Sequence, residues 1–334
     1  MTVEFTRETG GETPELSVVI VTYNEEERVR ACIESVLDAC DSLSEFEVIL
    51  VDSNSTDRTV EYAVEYPITV LRIPSDDLTT PGAGRYVGTQ AARGESILFV
   101  DGDMTVEKNW LSHAREYIAR NGVAAVDGYL NRLPDETTIH EVDAVRGTAL
   151  YDAASLRSVG GFDPQLRSLE DIHLGFLLTD AGYRLLRLPE VAARHPEPPT
   201  LHEPFRRWSR GYAFGPGQVL RRSVRSPKLL GKYISRFRYR IGTFAWLCVG
   251  VLALLAGSIA LIAWVLLSMG AVAVVISERG IIGAIEFVLQ QLLGIVGIAI
   301  GLRDRPRPRE SFPIEAVEVV IEGPIHTGST LSGV

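Results

Sequence analysis

The chain is 334 residues long, and 46% of its residues are hydrophobic and 23% charged. That length allows one large domain of about 200–250 residues and an appendage. Residues 1–203 carry 36 acidic against 17 basic side chains, whereas residues 204–240 carry 11 basic side chains and no acidic one. An acidic body, a basic segment and then long apolar runs argue against a nucleic-acid partner and indicate a membrane surface.

The N-terminal residues and the cysteines bear on the compartment. Residues 1–15 lack the apolar core of a signal peptide and predict a flexible tail. Cys32, Cys40 and Cys248 are odd in number and show no disulfide or metal-binding pattern, which is typical of a reducing compartment. We therefore expect the domain that begins at residue 16 to lie in the cytosol.

Strands and helices are predicted to alternate up to residue 104. Unbroken apolar runs predict buried strands, and apolar residues at helical spacing predict helices. In chain order these are a strand at 16–21, a helix at 25–37, strands at 46–51 and 68–73, a helix at 85–93 and a strand at 97–100. This alternation predicts the α/β class, with a mostly parallel sheet flanked by helices.

Polar residues follow three of these strands directly. Thr22 and Tyr23 follow the first, Asp52 the second, and Asp101 the fourth. Because parallel sheets bind ligands beyond the carboxyl ends of their strands, this convergence predicts a nucleotide crevice. The glycines within 82–88 follow a long loop and have the wrong spacing for a dinucleotide fingerprint, so we exclude a dehydrogenase.

The fourth strand ends in two carboxylates separated by one glycine, Asp101-Gly102-Asp103. Oxygen ligands of this kind suit Mg²⁺ or Mn²⁺. A divalent cation there could neutralise a diphosphate leaving group. On the triplet alone, a polar turn after a buried strand is an equal alternative.

Five segments carry a resemblance to a known family. VVIVTYNEEE, VILVDSNSTDRT and GAGRYVGTQAARGESILFVDGDM resemble the nucleotide-binding half of glycosyltransferase family 2, whose fold is GT-A. Residues 146–163 are similar to its acceptor-side segment, and residues 169–175 to its Glu-Asp motif. The resemblance covers residues 16 to about 200, and it implies a GT-A domain over 16–203.

The resemblance implies a role for each matching residue. Asp171 would be the general base that deprotonates the acceptor, and Asp103 would bind the metal, with Asp101 beside it and His195 as a third ligand. The implied nucleotide-sugar-binding residues are Thr22, Tyr23, Glu25, Asp52, Arg85 and Asp101, and the acceptor-side residues are Gly147, Thr148 and Glu170.

Each of these roles has a plainer alternative. Asp171 lies where an acid favours a helix start in any case. Arg85 could be a solvated helix residue instead of a diphosphate ligand, and His195 could be a surface-loop histidine. One departure from the family is that Asp52 is followed by Ser53, where many members have a second acid.

The C-terminal third predicts a membrane anchor. Residues 204–240 interleave seven aromatic residues with the basic ones, which is typical of the headgroup layer, with Arg207 and Trp208 at the membrane interface. Two long apolar runs predict spans at about 243–267 and 281–302 and a C-terminal tail over 303–334. Two spans place both basic flanks on one side of the membrane, as the positive-inside rule prefers.

Together these features predict a multi-pass protein of the cell membrane with a cytoplasmic, metal-dependent, inverting glycosyltransferase domain. The donor would be a nucleoside diphosphate sugar, with UDP favoured over GDP, and the acceptor a polyprenyl- or dolichyl-phosphate lipid, with or without sugars attached. Pro204 stands where processive members carry Gln, which favours transfer of one sugar. The chain is similar to archaeal transferases that build surface-layer protein glycans. A dolichyl monophosphate sugar synthase and an inert membrane scaffold are the alternatives.

Overall fold

The computed structural model describes residues 13–120, 122–135, 137–195 and 208–327. The chain divides into two compact units. The first combines Met1–Glu197 with Arg307–Val334, and the second is Pro198–Pro306. The first unit is therefore built from both ends of the chain.

The first unit contains one sheet and the helices that flank it. Its strands are β1 (Leu16–Thr22), β2 (Glu45–Asp52), β3 (Thr69–Arg72), β4 (Ser96–Asp101), β5 (Thr105–Val106), β6 (Val123–Leu130), β7 (His140–Glu141), β8 (Ala149–Asp152), β9 (Arg184–Arg194), β10 (Glu318–Ile321) and β11 (His326–Thr327). Its helices are α1 (Val29–Cys40), α2 (Thr59–Ala63), α3 (Pro81–Ala91), α4 (Lys108–Ile118), α5 (Ala153–Ser158) and α6 (Glu170–Asp180).

The sheet runs in the order β10-β3-β2-β1-β4-β8-β6-β9-β5. Strands β3, β2, β1 and β4 are parallel, whereas β8 is antiparallel to both of its neighbours. The register pairs Thr22 with Asp52 and Val21 with Asp101, so the polar strand ends lie side by side. The predicted α/β architecture of the GT-A type is confirmed, but the sheet is mixed and not mostly parallel, because six of the ten described strand pairings are antiparallel.

Both faces of the sheet are covered by apolar side chains. Alternate residues of β1 point to opposite faces, so Val18 and Ile20 join one core cluster and Val19 joins the other. Helix α1 covers the first face with Val29, Ile33 and other fully buried residues at helical spacing. This two-sided burial explains why the strands are unbroken apolar runs in the sequence.

The described part of the predicted C-terminal tail is not a free tail, because it completes this sheet. Strand β10 pairs antiparallel with β3, with Val319 opposite Leu71. Phe312 packs edge-on against Tyr86, with ring centroids 5.7 Å apart. An edge strand such as β3 offers unpaired backbone groups, and a short apolar stretch such as β10 satisfies them.

The second unit is helical over its described residues. After a 3₁₀ turn at Tyr212–Phe214 it contains α7 (Gly215–Ser223), α8 (Pro227–Arg236), α9 (Arg238–Ala256) and α10 (Ser258–Gly301). Helices α9 and α10 are long and apolar enough to cross a membrane, by length and composition.

Two glycines interrupt these helices. Gly257 (φ 116°) separates α9 from α10, and Gly280 (φ 72°) breaks α10 internally. Both values lie in the region that favours glycine. The predicted single span at about 243–267 is corrected by this geometry, since the chain turns at Gly257 in the middle of it.

Candidate active site

The ends of β1 and β2 carry polar groups that hydrogen-bond to one another. The carboxylate of Asp52 is fully buried. It accepts hydrogen bonds from Thr22 Oγ1 (3.3 Å), from the Ser55 backbone N–H (2.8 Å) and from the Ser55 hydroxyl. Burial raises the pKa of Asp52, and the bonds from Ser55 and Thr22 oppose that rise. The predicted pairing of Thr22 and Asp52 at one edge is therefore present.

Asparagine residues hold the loops that follow these strands, a feature that sequence reasoning missed. Asn24 (φ 56°) and Asn54 (φ 64°) adopt the left-handed conformation, which asparagine tolerates better than most residues. The Asn24 side chain accepts a bond from the Thr56 backbone N–H (2.8 Å), which joins the two loops. The Glu25 backbone N–H donates to Thr59 Oγ1 (2.7 Å), and the Tyr23 side chain is exposed.

The Asp101-Gly102-Asp103 turn lies against the end of β1. A Cβ on Gly102 would lie 2.4 Å from Thr22 Cγ2, so only glycine fits at this position. The turn holds Asp103 with its Oδ1 buried and without a hydrogen-bond partner, while its Oδ2 lies 3.1 Å from His195 Nε2. Burial and the neighbouring Asp101 carboxylate raise the pKa of Asp103. An unpaired carboxylate oxygen beside a second acid is an environment that a cation would stabilise.

The residues at Asp103 fit a divalent cation only in part. Among the residues that the structure describes, no group of three or more His, Cys, Asp and Glu side chains converges to hold a metal. Asp103 and His195 supply a carboxylate and an imidazole, so further ligands would have to come from a bound substrate or water. His195 is held in place by its backbone N–H, which donates to Asn131 Oδ1 (2.7 Å).

Arg85 links the end of β4 to the start of α6 through ion pairs with Asp101 and Glu170. Its Nη2 lies 2.6 Å from Asp101 Oδ1 and its Nη1 lies 2.9 Å from Glu170 Oε1, in a largely buried position. Burial lowers the pKa of Arg85. The Asp101 and Glu170 carboxylates raise it by more, so the net change is a rise. The diphosphate contact predicted for Arg85 remains a prediction, because both terminal nitrogens are engaged by carboxylates here.

Helix α6 begins with Glu170 and Asp171, and its start is held firmly. Ile172, Leu174 and other apolar residues of α6 are buried. A Cβ on Gly175 would lie 2.6 Å from Ala144 Cα, so the helix approaches that backbone closely. The Asp171 Oδ1 accepts a bond from the Ile172 backbone N–H (2.7 Å).

The surroundings of Glu170 and Asp171 raise the pKa of both side chains. Burial raises the pKa of Glu170 to about 7 and also raises the pKa of Asp171, while Arg85 lowers both. A rigid carboxylate with a raised pKa is a suitable general base near neutral pH. The general-base role of Asp171 remains a prediction, and its raised pKa and firmly held helix start are in line with it.

The predicted acceptor-side residues Gly147 and Thr148 directly follow a cation, Arg146, that sequence reasoning missed. Thr148 Oγ1 lies 3.5 Å from the sulfur of Met104, next to Asp103, and Gly147 adopts φ 64°. The preceding residue, Arg146, donates its backbone N–H to Asp127 Oδ2 (3.1 Å). Its guanidinium is exposed and acts electrostatically on Asp171, lowering that pKa. The motif Arg-Gly-Thr is visible in the sequence, but the sequence does not show that the charge of Arg146 acts on Asp171.

Asp127 fixes the backbone of this acceptor-side loop. It is fully buried and forms a two-bond ion pair with Arg187, whose Nε lies 2.8 Å from Oδ1. Such a pair holds the strand and the loop in one arrangement. Of the two predicted interface residues, Trp208 packs edge-on against Phe214 in the second unit (5.5 Å), and Arg207 lies outside the described residues.

Comparison with protein families identifies the region that contains these residues. A family model described as Glycosyl transferase family 2 matches residues 17–163. A second, described as Glycosyl transferase family group 2, matches residues 141–276. The matches support the glycosyltransferase region expected from the sequence.

Individual relatives agree with this assignment. Glycosyltransferase AglE of Haloferax volcanii is 28% identical over 207 residues, which is 56% of this chain and 68% of AglE. Among solved structures, the mannosyltransferase PcManGT of Pyrobaculum calidifontis in complex with GDP-Man and Mn²⁺ has a TM-score of 0.65 at 19% identity, and the match covers 88% of this chain and 89% of PcManGT. TarS of S. aureus in complex with UDP-GlcNAc has a TM-score of 0.53 at 19% identity, with 85% and 90% covered. At such identity the two structures show the shared fold.

Proposed function

We propose that the protein is an inverting, metal-dependent glycosyltransferase that moves one sugar from a nucleoside diphosphate sugar to a lipid-linked acceptor. The observation that carries the proposal is the set of carboxylates at one edge of the sheet. Their environments differ: Asp52 accepts hydrogen bonds from Ser55 and Thr22, Asp103 has one buried oxygen without a partner, and Asp171 lies at the start of a firmly packed helix. Those environments suit nucleotide binding, cation binding and proton abstraction.

The residues divide the work of an in-line displacement. Thr22, Tyr23, Glu25 and Asp52 would line the nucleobase and ribose pocket. A cation held by Asp103 and His195 would neutralise the diphosphate charge when bound. Asp171 would take the proton from the acceptor hydroxyl as its oxygen attacks the anomeric carbon. The bond from that carbon to the diphosphate breaks, and the electron pair leaves with the nucleotide.

Two features support a lipid-linked acceptor. The apolar helices α9 and α10 would keep the enzyme at a membrane, so that a lipid carrier would be the nearest substrate. Arg146 would supply positive charge for an acceptor phosphate beside Asp171. The same cation favours a dolichyl monophosphate sugar synthase as the second candidate, since its acceptor is itself a phosphate. An inert scaffold would need none of the charged arrangement around Arg85 and Asp171.

The donor nucleotide, the pathway and the orientation are further parts of the proposal. PcManGT is in complex with GDP-Man and TarS with UDP-GlcNAc, so both nucleotides belong in a test, with UDP favoured here. We place the catalytic domain in the cytoplasm of a multi-pass cell-membrane protein that contributes to a cell-surface glycan. The two long apolar helices support the membrane part of that placement.

The decisive experiment uses the full-length protein in nanodiscs that contain a polyprenyl phosphate or a polyprenyl diphosphate sugar. A panel of UDP- and GDP-sugars with Mn²⁺ or Mg²⁺ is expected to yield a glycosylated lipid from one donor, and excess EDTA should abolish it. Undiminished transfer in EDTA would contradict the proposed metal dependence. If no donor reacts and none raises the thermal stability of the protein, the proposed glycosyltransferase activity is contradicted.

A further inference from the structure

Helix α9 and the first half of α10 (residues 258–279) form an antiparallel hairpin that turns at Gly257. Trp246 Nε1 donates to Ser268 Oγ (2.9 Å), and the Trp264 indole donates to the Trp246 carbonyl (3.0 Å). The Trp264 ring also lies against Gly250, where a Cβ would be 2.7 Å from it. Each helix of the hairpin is about 28–33 Å long at 1.5 Å per residue, which matches a hydrocarbon core of about 30 Å.

The second half of α10 (residues 281–301) runs across this hairpin instead of along it. Pairing of 246 with 268 and of 250 with 264 places residue 279 level with residue 235, before α9 begins. Fifteen residues later, Gly294 lies beside Arg240, whose Nε is 2.6 Å from the position of a Cβ. The part of this stretch from residue 281 onward advances about 20 Å along its own helix axis, whereas the level along α9 has changed by only about 7 Å. It is therefore steeply inclined to the hairpin.

The C-terminal end of the second half of α10 stays with the segments that precede α9. A Cβ on Gly297 would lie 2.2 Å from the Ala213 carbonyl, and one on Gly301 would lie 2.0 Å from the Phe214 carbonyl. Immediately afterwards, Gln218 Nε2 donates to Asp304 Oδ2. The link from α7 to α9 carries Arg225, Lys228, Lys232 and Arg236, which would be costly in an acyl layer. Both ends of the second half of α10 thus lie on the side where α9 begins.

The two sides of this helix differ in composition. At 100° per residue, Ile281, Ile285, Val288, Leu292 and Val296 lie within about 80° of arc, and all five are exposed. The opposite 80° or so contains Glu286, Gln290, Gly294, Gly297 and Gly301. The glycine side is the one packed against the 3₁₀ turn and Arg240. The apolar side has no covering segment among the described residues.

We propose that residues 281–301 form an in-plane helix at the membrane–water interface, with the apolar side in the acyl layer, while α9 and residues 258–279 cross the bilayer. This replaces the second span predicted at 281–302. The partner is the lipid surface, because the apolar side is continuous with a hairpin of bilayer length and is bordered by basic residues. Chain connectivity agrees, since residues up to 195 and residues 307–327 belong to one compact unit, in which β10 pairs with β3, and must therefore share one side of the membrane. The inference rests on the membrane location in the proposed function.

The test is the sidedness of single cysteines in full-length protein. In a Cys248→Ser background, Ser258→Cys marks the hairpin turn, Ser277→Cys the residues before the in-plane helix, and Arg303→Cys those after it. A membrane-impermeant maleimide is applied to sealed right-side-out and inverted vesicles. We expect Ser277→Cys and Arg303→Cys to react on one side and Ser258→Cys on the other.

Each other outcome is decisive. If Ser277→Cys and Arg303→Cys react on opposite sides, residues 281–301 cross the bilayer and the inference is wrong. If all three cysteines react on one side, the hairpin does not cross, and the inference is also wrong. Transfer to a lipid acceptor is measured separately on the same vesicles, so failure of the topology and failure of the proposed function remain distinguishable.

A depth measurement provides the second test. Bimane attached at Leu292→Cys is expected to be quenched by bromine-labelled acyl chains at least about threefold more than bimane at Gln290→Cys, because the two positions lie on opposite sides of the helix. Equal quenching at both positions would contradict an in-plane helix with one buried side. Alkali extraction of the membranes checks that both variants are inserted.

Discussion

Two acids at the same edge of the sheet, Asp52 and Asp103, have opposite hydrogen-bonding environments. Asp52 is fully buried and accepts three hydrogen bonds from Thr22 and Ser55. Asp103 is also largely enclosed, yet its Oδ1 has no partner and a second acid lies two residues away. A buried polar group without a partner costs free energy that folding alone does not return.

This difference separates acids that stabilise the folded protein from acids that a ligand would have to neutralise. The environment of Asp52 is complete without a ligand, so this residue should contribute to stability as well as to binding. The environments of Asp101, Asp103, Glu170 and Asp171 bring negative charges together, and Arg85 is bonded to two of these acids, Asp101 and Glu170. Such crowding indicates a site that a bound cation or proton completes.

The largest expected effect is the loss of transfer in Asp103→Asn. The change keeps the shape of the side chain but removes its charge, so several kcal/mol of metal-dependent stabilisation should be lost, or at least about 10³-fold in turnover. Mn²⁺ binding, followed by electron paramagnetic resonance with a nucleotide sugar present, should weaken in parallel.

The matched control for this variant is Asp52→Ala at the same edge. Thermal unfolding of the free protein should be unchanged or improved in Asp103→Asn, whereas Asp52→Ala should lose about 1–3 kcal/mol, because Ser55 and Thr22 lose their acceptor. Equal destabilisation of both variants would remove the distinction between a structural acid and a ligand-binding one.

Asp171→Asn should lower turnover by about 10²–10⁴-fold while the affinity for the donor is retained, because the amide cannot take a proton. Donor affinity is measured by calorimetry and turnover by product formation on a lipid-linked sugar. Wild-type turnover would show that the base is elsewhere, or that the acceptor is a phosphate that needs none.

Arg146→Gln should raise the KM for a phosphorylated lipid acceptor by about 10–100-fold, the loss expected for a charge-assisted hydrogen bond. Donor hydrolysis in the absence of acceptor should be unchanged. Arg120→Gln is the control, since Arg120 is an exposed arginine that stacks on Tyr117. An equal effect of both variants would reduce the role of Arg146 to general surface charge.

The last expected effect concerns the pH dependence of stability and not catalysis. Burial raises the pKa of Glu170 to about 7 from a usual value of 4.5, so the folded state holds this proton more tightly than the unfolded state. The resulting stabilisation is present below about pH 4.5 and is lost as the pH rises through about 7. The Tm of Glu170→Gln relative to wild type should therefore be higher at pH 8 than at pH 4.5. A constant difference would contradict the raised pKa.

Much of the first unit was predictable because its signals are local. Each buried strand is a continuous apolar run, and each ends at a polar residue, so Asp52, Asp101 and Asp103 could be assigned to one edge before any coordinates. The start of α6 at Glu170 and Asp171 likewise follows from acids that precede an apolar helix. Burial of the side chains around these positions needed no long-range information.

The sequence by itself therefore determined the α/β class, the sheet edge and the acids that line it. Only the tertiary structure decided that Arg85 binds two carboxylates, that the charge of Arg146 lowers the pKa of Asp171 and that residues 307–327 return to the first unit. It also decided that the long apolar run folds back at Gly257. The physical reason is that composition and periodicity report burial, whereas ion-pair partners, edge pairing and helix direction depend on residues far apart in the chain.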